Sequence, residues 1–418
     1  MRIAYVCADF GIPIHGTKGA SIHVRELTRA LVREGHEVIV LTPRRGGTPP
    51  PGYDVPVIEI GPEVVDAELR RHISGDEAGG EPLANEVRGL LYASTMRHRA
   101  TALLHEWRPD IIYERHALPG LAGRAIANEL GIPHLLEINA PLAREQARHR
   151  TVHLRSTASA LEARSIVAAD AVIVVSAALA RWALEAGVER SRIHMLSNGV
   201  DPDRFATAAD ATQLRRRLHL DGKTPVVGFV GTLKPWHDVA GVLRAAGMLR
   251  RRGVPLRLLI VGEGPMRPQL ERMAGEEGLA AETRFTGAVA HDAIPGYLRA
   301  MDAAVVPYAS TPGDSYFSPL KLFEYGAAAR PVIAADIGEI AHCVRDRETG
   351  LLYPSGNAET LSSGLHHILS DRAGAARMGE ALRDHVTTEH TWTGNARTVA
   401  DIAQRLCASS LIAARAGS

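Results

Sequence analysis

Short apolar runs alternate along this chain with longer stretches whose apolar residues recur every three or four positions. Residues 2–8 run Arg-Ile-Ala-Tyr-Val-Cys-Ala with little alternation, the pattern of a strand buried on both faces of a parallel sheet. A glycine-bearing loop, 11–19, follows. Val24, Leu27, Leu31 and Val32 then recur at helical spacing and predict a helix over about 21–34. Gly35 stops it, and Val38-Ile39-Val40-Leu41 reads as the next strand of a right-handed βαβ unit. The alternation continues with helix 85–106, strand 110–116, helix 118–130, strand 134–138, helix 156–168, strand 171–176 and helix 178–186. Asn198-Gly199 marks a turn. A second series repeats the design without visible sequence repetition, with strands at 226–230, 257–261, 284–285, 303–306 and 332–335. Residues after Leu352 read as helical. Residues 44–82 are rich in Gly, Pro and acidic groups and read as a variable surface excursion. For 418 residues two α/β domains are expected. We set the boundaries at 1–199, a linker at 200–222, and 223–390.

The most informative stretch lies around the last of these strands. The run 303–306 is closed by Pro307 and followed by a polar loop, 310–314. Ser318-Pro319 reads as a helix start, with a hydroxyl at the N-cap and proline at the first helical position. The helix should run to about Ala329, and Pro331 opens the strand 332–335. Glycine and alanine in its last turn let helix and sheet pack closely. A helix N-terminus at the carboxyl end of a parallel strand is a ready anion site. Glu324, six residues after Ser318, is within reach of whatever binds there. An ordinary capped βαβ unit accounts for the same pattern equally well.

Other loops after strands carry candidate chemistry. Gly228-Phe229-Val230-Gly231-Thr232-Leu233-Lys234-Pro235-Trp236-His237 is a strand, a turn and a helix start. Lys234 offers a charge-assisted contact to phosphate, or else is a solvated lysine beside a packed tryptophan. Gly262-Glu263-Gly264-Pro265 either lets backbone approach a ligand or is a tight turn. In the first domain Lys18 and Gly19 sit at a strand-to-helix turn that is not GxGxxG, so a dinucleotide fingerprint is absent. His116, Glu137 and Asn139 fall at strand ends, where doubly wound folds bind ligands. A histidine there can steer a hydroxyl or stabilise charge.

In this order the glycine loop, Asn198-Gly199-Val200-Asp201 with Phe205, the Gly-x-Val-Gly strand and the Ser-Pro-Leu-Lys…Glu helix resemble the retaining GT-B glycosyltransferases of family 4. The resemblance implies two Rossmann-like doubly wound α/β domains facing across a cleft, with a final helix, about 391–418 and beginning near Trp392, packed back on the first. It implies transfer of a sugar from a nucleotide-diphosphate sugar to an acceptor hydroxyl with retention, by front-face attack and with domain closure excluding water. Donor-binding residues would be Lys18, Gly19, Gly231, Thr232, Lys234, His237, Gly262, Gly264, Ser318, Pro319, Leu320, Lys321 and Glu324, with Glu324 on the ribose hydroxyls. The family usually has arginine after the second glycine of the strand motif and lysine five residues later. Thr232 and His237 occupy those positions here, so Lys234 is the expected phosphate partner and His237 the second choice. A second family glutamate is replaced by Tyr316. His116 is the catalytic candidate, and Glu137 and Asn139 are acceptor-side candidates.

Composition narrows the alternatives. Basic and acidic residues number 48 and 47, which argues against a nucleic-acid partner. Cys7, Cys343 and Cys407 are far apart with no CxxC, so no disulfide framework or zinc site is suggested. We expect a cytoplasmic protein without a transmembrane segment, with peripheral membrane contact open. No Asp-x-Asp pair lies in a suitable loop, so metal-independent phosphate stabilisation is expected, with no cofactor beyond the co-substrate. The acceptor, a glycan, a lipid-linked sugar or a small molecule, is not readable. A sugar-nucleotide epimerase and a non-catalytic sugar-nucleotide-binding protein remain as alternatives.

Overall fold

The computed structural model describes residues 1–418 except 64–67, 69–70, 74–79, 150–151, 207–210, 221, 310–315 and 417–418. The predicted polar loop 310–314 lies outside the described residues. The chain divides into two compact units, Met1–Ser197 with Trp392–Ser418, and Asn198–Thr391.

Unit 1 is built on seven parallel strands: β1 (Arg2–Cys7), β2 (Glu37–Thr42), β3 (Val57–Glu59), β4 (Ile111–Arg115), β5 (His134–Ile138), β6 (Ala171–Val174) and β7 (Ile193–Met195). Their order is β3-β2-β1-β4-β5-β6-β7, so chain direction across the sheet reverses between β1 and β4. Strand β1 is flanked by Arg2↔Glu37 pairing on one side and Ile3↔Ile111 on the other. Its inner residues Ile3, Ala4, Tyr5 and Val6 are fully buried, as the unalternated pattern requires. The helix Gly19–Arg33 packs on the C-terminal helix Trp392–Ala416. Trp392 meets His23 edge-on at 5.1 Å, Arg397 grips Glu34 through two bonds of 2.7 and 3.1 Å, and Asn395 donates to the Ser197 carbonyl.

Unit 2 carries six parallel strands: β8 (Val226–Val230), β9 (Arg257–Val261), β10 (Thr283–Phe285), β11 (Ala303–Val306), β12 (Val332–Ala335) and β13 (Leu351–Tyr353), in the order β10-β9-β8-β11-β12-β13. The reversal falls between β8 and β11, whose following loops lead to Gly231 and to the helix Leu320–Ala327. Residues 200–222, expected as a linker, hold the helices Pro202–Ala206 and Ala211–Arg217 and belong to this unit. Val200 pairs with Thr391 and its N–H donates to the His390 carbonyl at 2.9 Å. The glycine near the end of the helix Leu320–Ala327 serves another helix rather than the sheet. A Cβ on Gly326 would stand 2.8 Å from Val386 and 3.0 Å from Leu382, both on the helix Arg372–Glu389.

Strands β3, β7 and β13 are absent from the sequence reading. Each is three residues at a sheet edge, too short to show a period. No helix among the described residues is long and apolar enough to cross a membrane. Gly326→Leu overpacks the helix pair and should lower the stability of unit 2 by about 1–3 kcal/mol, measured by the denaturant midpoint. An unchanged midpoint would contradict this account of the packing.

Candidate active site

In unit 2 the loops after β8 and β9 are zipped together by backbone. Gly231 N–H donates to Val261 O at 2.9 Å, Leu233 N–H to Glu263 O at 3.0 Å, and Met266 N–H to Leu233 O at 3.1 Å. Gly262 has a φ of 142°, and a Cβ there would collide with the Gly231 carbonyl, as one on Gly264 would with Leu233 backbone. Both glycines are therefore required by loop-on-loop packing.

Gly231 has a φ of 152°, and its absent Cβ leaves room for Lys321, whose Cε lies 3.2 Å from that point. Lys321 reaches in from the helix Leu320–Ala327. Its Nζ donates to Tyr308 Oη at 2.7 Å and approaches His237 Nε2 at 3.1 Å. The rings of Tyr308 and Phe229 lie 4.5 and 5.5 Å from it. His237 Nδ1 sits 2.6 Å from the Thr232 carbonyl. A carbonyl only accepts, so Nδ1 carries the hydrogen and Nε2 is free to accept from the ammonium. Burial, with Lys321 adding to it, pushes His237 down to about 3, and the ring stays neutral. Burial also pushes Lys321 down to about 7, partly countered by Glu324. No carboxylate hydrogen-bonds to this amine among the described residues.

Glu324 follows one turn later, and its Oε1 accepts from His291 Nε2 at 2.7 Å. Lys234, the cation singled out by spacing, instead lies 5.7 Å from the Trp236 ring centre, and Thr232 is exposed. Ser318 does not cap the helix. Its hydroxyl accepts from Asn198 N–H at 3.0 Å and its carbonyl from Asn198 Nδ2 at 2.6 Å, while Pro319 takes the N-cap position with no side-chain bond. The helix accordingly starts one residue later than predicted, at Leu320, and Ala329, expected inside it, has a φ of 52°.

In unit 1 the loop after β1 leads to the helix Gly19–Arg33, with Lys18 at its N-cap and donating to Gly11 O at 2.7 Å. Buried Arg25 ties this loop down through Ile14 O and Gly16 O at 2.5 and 2.7 Å. Glu137, at the end of β5, is 1% exposed. It accepts from His23 (2.9 Å), Tyr113 (2.5 Å), Arg115 (2.7 Å) and the half-buried Asn139. Burial pushes its carboxyl up, but His23, Arg115 and the tyrosine bond outweigh this and hold it well below the usual range. The His116 side chain is 1% exposed, with Nε2 3.1 Å from Glu162 Oε1. His116 thus follows β4 with its side chain turned inward. Glu162 in turn lines a cavity of about 570 Å³ with Ala143, Arg144, Arg155, Ser159 and Trp182. Among the described residues, one trio is spaced to hold a metal ion, His385, Glu389 and His390, at the end of the helix Arg372–Glu389.

Sequence reasoning passed over Tyr308, His291, Arg25 and Glu162. Tyr308 carried one signal, its place directly after the proline that closes β11. His291 is one of nineteen histidines with nothing local to mark it.

Two doubly wound parallel-sheet units, with chemistry at the strand ends beside each reversal point, define the GT-B class of glycosyltransferase. Residues 17–204 match the family described as Glycosyltransferase Family 4, and residues 210–385 match Glycosyl transferases group 1. The chain belongs to the group 1, family 4 glycosyltransferases and is a transferase enzyme. It is 26% identical to a glycogen synthase of Mycobacterium tuberculosis over 96% of this chain and 94% of that one. A GDP-mannose-dependent alpha-(1-6)-phosphatidylinositol monomannoside mannosyltransferase of the same organism is 32% identical over 50% of this chain and 55% of its own. The structure of Anabaena HepE in complex with UDP-glucose shares the fold, with a TM-score of 0.74 and 17% identity, over 97% of this chain and all of that one. Neither the epimerase nor the non-catalytic alternative is favoured by these relatives.

Between about pH 7 and the ordinary lysine range the unfolded chain holds a proton at Lys321 that the folded unit lacks, so stability should rise with pH across that window. Lys321→Met should be more stable than the wild type at pH 6 by on the order of 3 kcal/mol, with the gap narrowing toward pH 10. Parallel stability curves in denaturant titrations across this range would refute the lowered proton affinity of the buried amine.

Proposed function

We propose that this enzyme transfers a sugar from a nucleotide-diphosphate sugar to an acceptor hydroxyl with retention at the anomeric carbon. The observation that carries the reading is the Lys321 ammonium. It is buried beside the β8/β11 reversal, hydrogen-bonded to no carboxylate among the described residues, one turn ahead of Glu324. A buried cation held by neutral partners is costly unless an anion completes it, and a diphosphate is such an anion. Lys321 takes the phosphate role expected of Lys234, and neutral His237 steadies it. Backbone at Gly231 and at Ser318, Pro319 and Leu320 flanks the phosphates, and Glu324 binds the ribose hydroxyls. Lys234 is a second, outer cation. The UDP-glucose in complex with HepE and the GDP-mannose of the mannosyltransferase are of this chemical class.

The leaving diphosphate, with its charge stabilised by Lys321 and the helix start, departs from the face at which the acceptor attacks and takes the acceptor's proton. Stabilisation of that charge and positioning supply most of the acceleration. On the acceptor side we assign Asn139 as the side chain that meets a hydroxyl. Lys18 and Gly19 border it, while His116 and Glu137 support the strand ends from within. The cavity beside Glu162 selects the acceptor. No metal is required in this scheme, and three free thiols suit a reducing cytoplasm.

A thermal-shift series with UDP, GDP, ADP and TDP tests the donor reading. One nucleotide should raise the melting temperature, with the shift growing as the logarithm of its concentration over Kd, and no shift with any would sink it. Lys321→Ala should cut kcat/KM by roughly a hundredfold and Lys234→Ala by roughly tenfold or less; the reverse order would return the phosphate role to Lys234. Activity should survive EDTA, and NMR of the product should show the donor's anomeric configuration.

A further inference from the structure

His291 and Glu324 lie 33 residues apart, yet their side chains meet at 2.7 Å and are 13% and 12% exposed. The pair is thus largely withdrawn from water but keeps an open edge. A carboxylate only accepts, so His291 Nε2 carries the hydrogen. That bond engages Oε1; no other hydrogen bond from a described residue reaches this carboxylate. A glutamate side chain has three rotatable bonds, and left alone would sample several orientations. The histidine is itself held firmly. It opens the turn His291–Ala293, its carbonyl accepts from Ile294 N–H, and the next residue, Asp292, is bound by Arg204 at 2.5 Å. Ile294 is buried in the core of the unit.

We propose that His291 is a positioning residue for nucleotide recognition, which fixes one oxygen of Glu324 so that the other is presented to the vicinal hydroxyls of a ribose. The proposal rests on the assignment of Glu324 to the ribose. Its consequence is selectivity: the enzyme distinguishes ribonucleotide from 2′-deoxyribonucleotide donors, and His291 sets how sharply. A hydrogen-bonding site of fixed geometry rejects the analogue that lacks the hydroxyl because its polar group is left unpaired.

The test is calorimetry on the full chain with UDP, GDP and ADP, each beside its 2′-deoxy counterpart, using the base that binds tightest. The wild type should prefer the ribose form by at least about tenfold. His291→Phe keeps a ring and removes the donor, and should shrink that preference at least about threefold. His291→Gln, which restores an N–H near the position of Nε2, should recover it. Donor KM should rise more than kcat falls in the phenylalanine variant. Glu324→Ala separates the two levels of the argument. If it abolishes the ribose preference while His291→Phe leaves the preference whole, the role of His291 is overturned and that of Glu324 stands. If Glu324→Ala retains the full preference, the ribose assignment fails and the proposal with it.

Discussion

An ammonium held away from water among aromatic rings constrains most of what surrounds it in the second unit. Lys321 sits against Phe229 and Tyr308 and is bonded to a hydroxyl and a neutral imidazole. That arrangement fixes the tautomer of His237, because one ring nitrogen must accept from the amine while the other donates to Thr232. It demands glycine at position 231, where a side chain would press on the lysine stem. It also gives the helix Leu320–Ala327 a second function, since the helix that shields the sheet delivers the charge. That buried charge comes from a helix more than eighty residues after the Gly231 loop it touches.

The first unit solves the same electrostatic problem in the opposite way. Glu137 is more deeply buried still, but its two oxygens accept from histidine, tyrosine, arginine and asparagine side chains. Glu114 is likewise fully buried, against His134 at 2.9 Å and the Gly123 amide at 3.1 Å. Carboxylates so fully served contribute a rigid strand edge and have little left for a ligand. Among the described residues, Glu137 is met by four side-chain donors, whereas the Lys321 ammonium meets a hydroxyl and an imidazole.

The doubly wound sheets were legible because unalternated apolar runs separated by amphipathic stretches leave few other arrangements. Strands β3, β7 and β13 were not, being short edges whose existence depends on a partner already in place. At the candidate site, spacing along the sequence names loops and a helix, but which side chains meet there is decided by the fold. Ser318 looked like a cap because caps are local, yet its partner is Asn198, 120 residues distant. Lys234 is near Gly231 in sequence and lies by Trp236, whereas Lys321, far away in sequence, is near Gly231 in space. His116 was placed at the correct strand end, but the direction of its side chain is decided by Glu162 on a helix that no spacing rule connects to it.

The second unit enters the chain as a single continuous piece, and its two ends, Val200 and Thr391, are stitched by a bridge. The first unit is interrupted by it and needs the helix Trp392–Ala416 to cover the helix Gly19–Arg33. As the ribosome works from the N-terminus, the inserted unit has all its strands and a closed perimeter before the first unit has all its parts. The earlier half of the protein is therefore the later to mature. Until the last turns of chain emerge, the apolar flank that waits for Trp392 is open to the cell, and truncation near the C-terminus endangers the N-terminal sheet rather than the unit it adjoins in sequence.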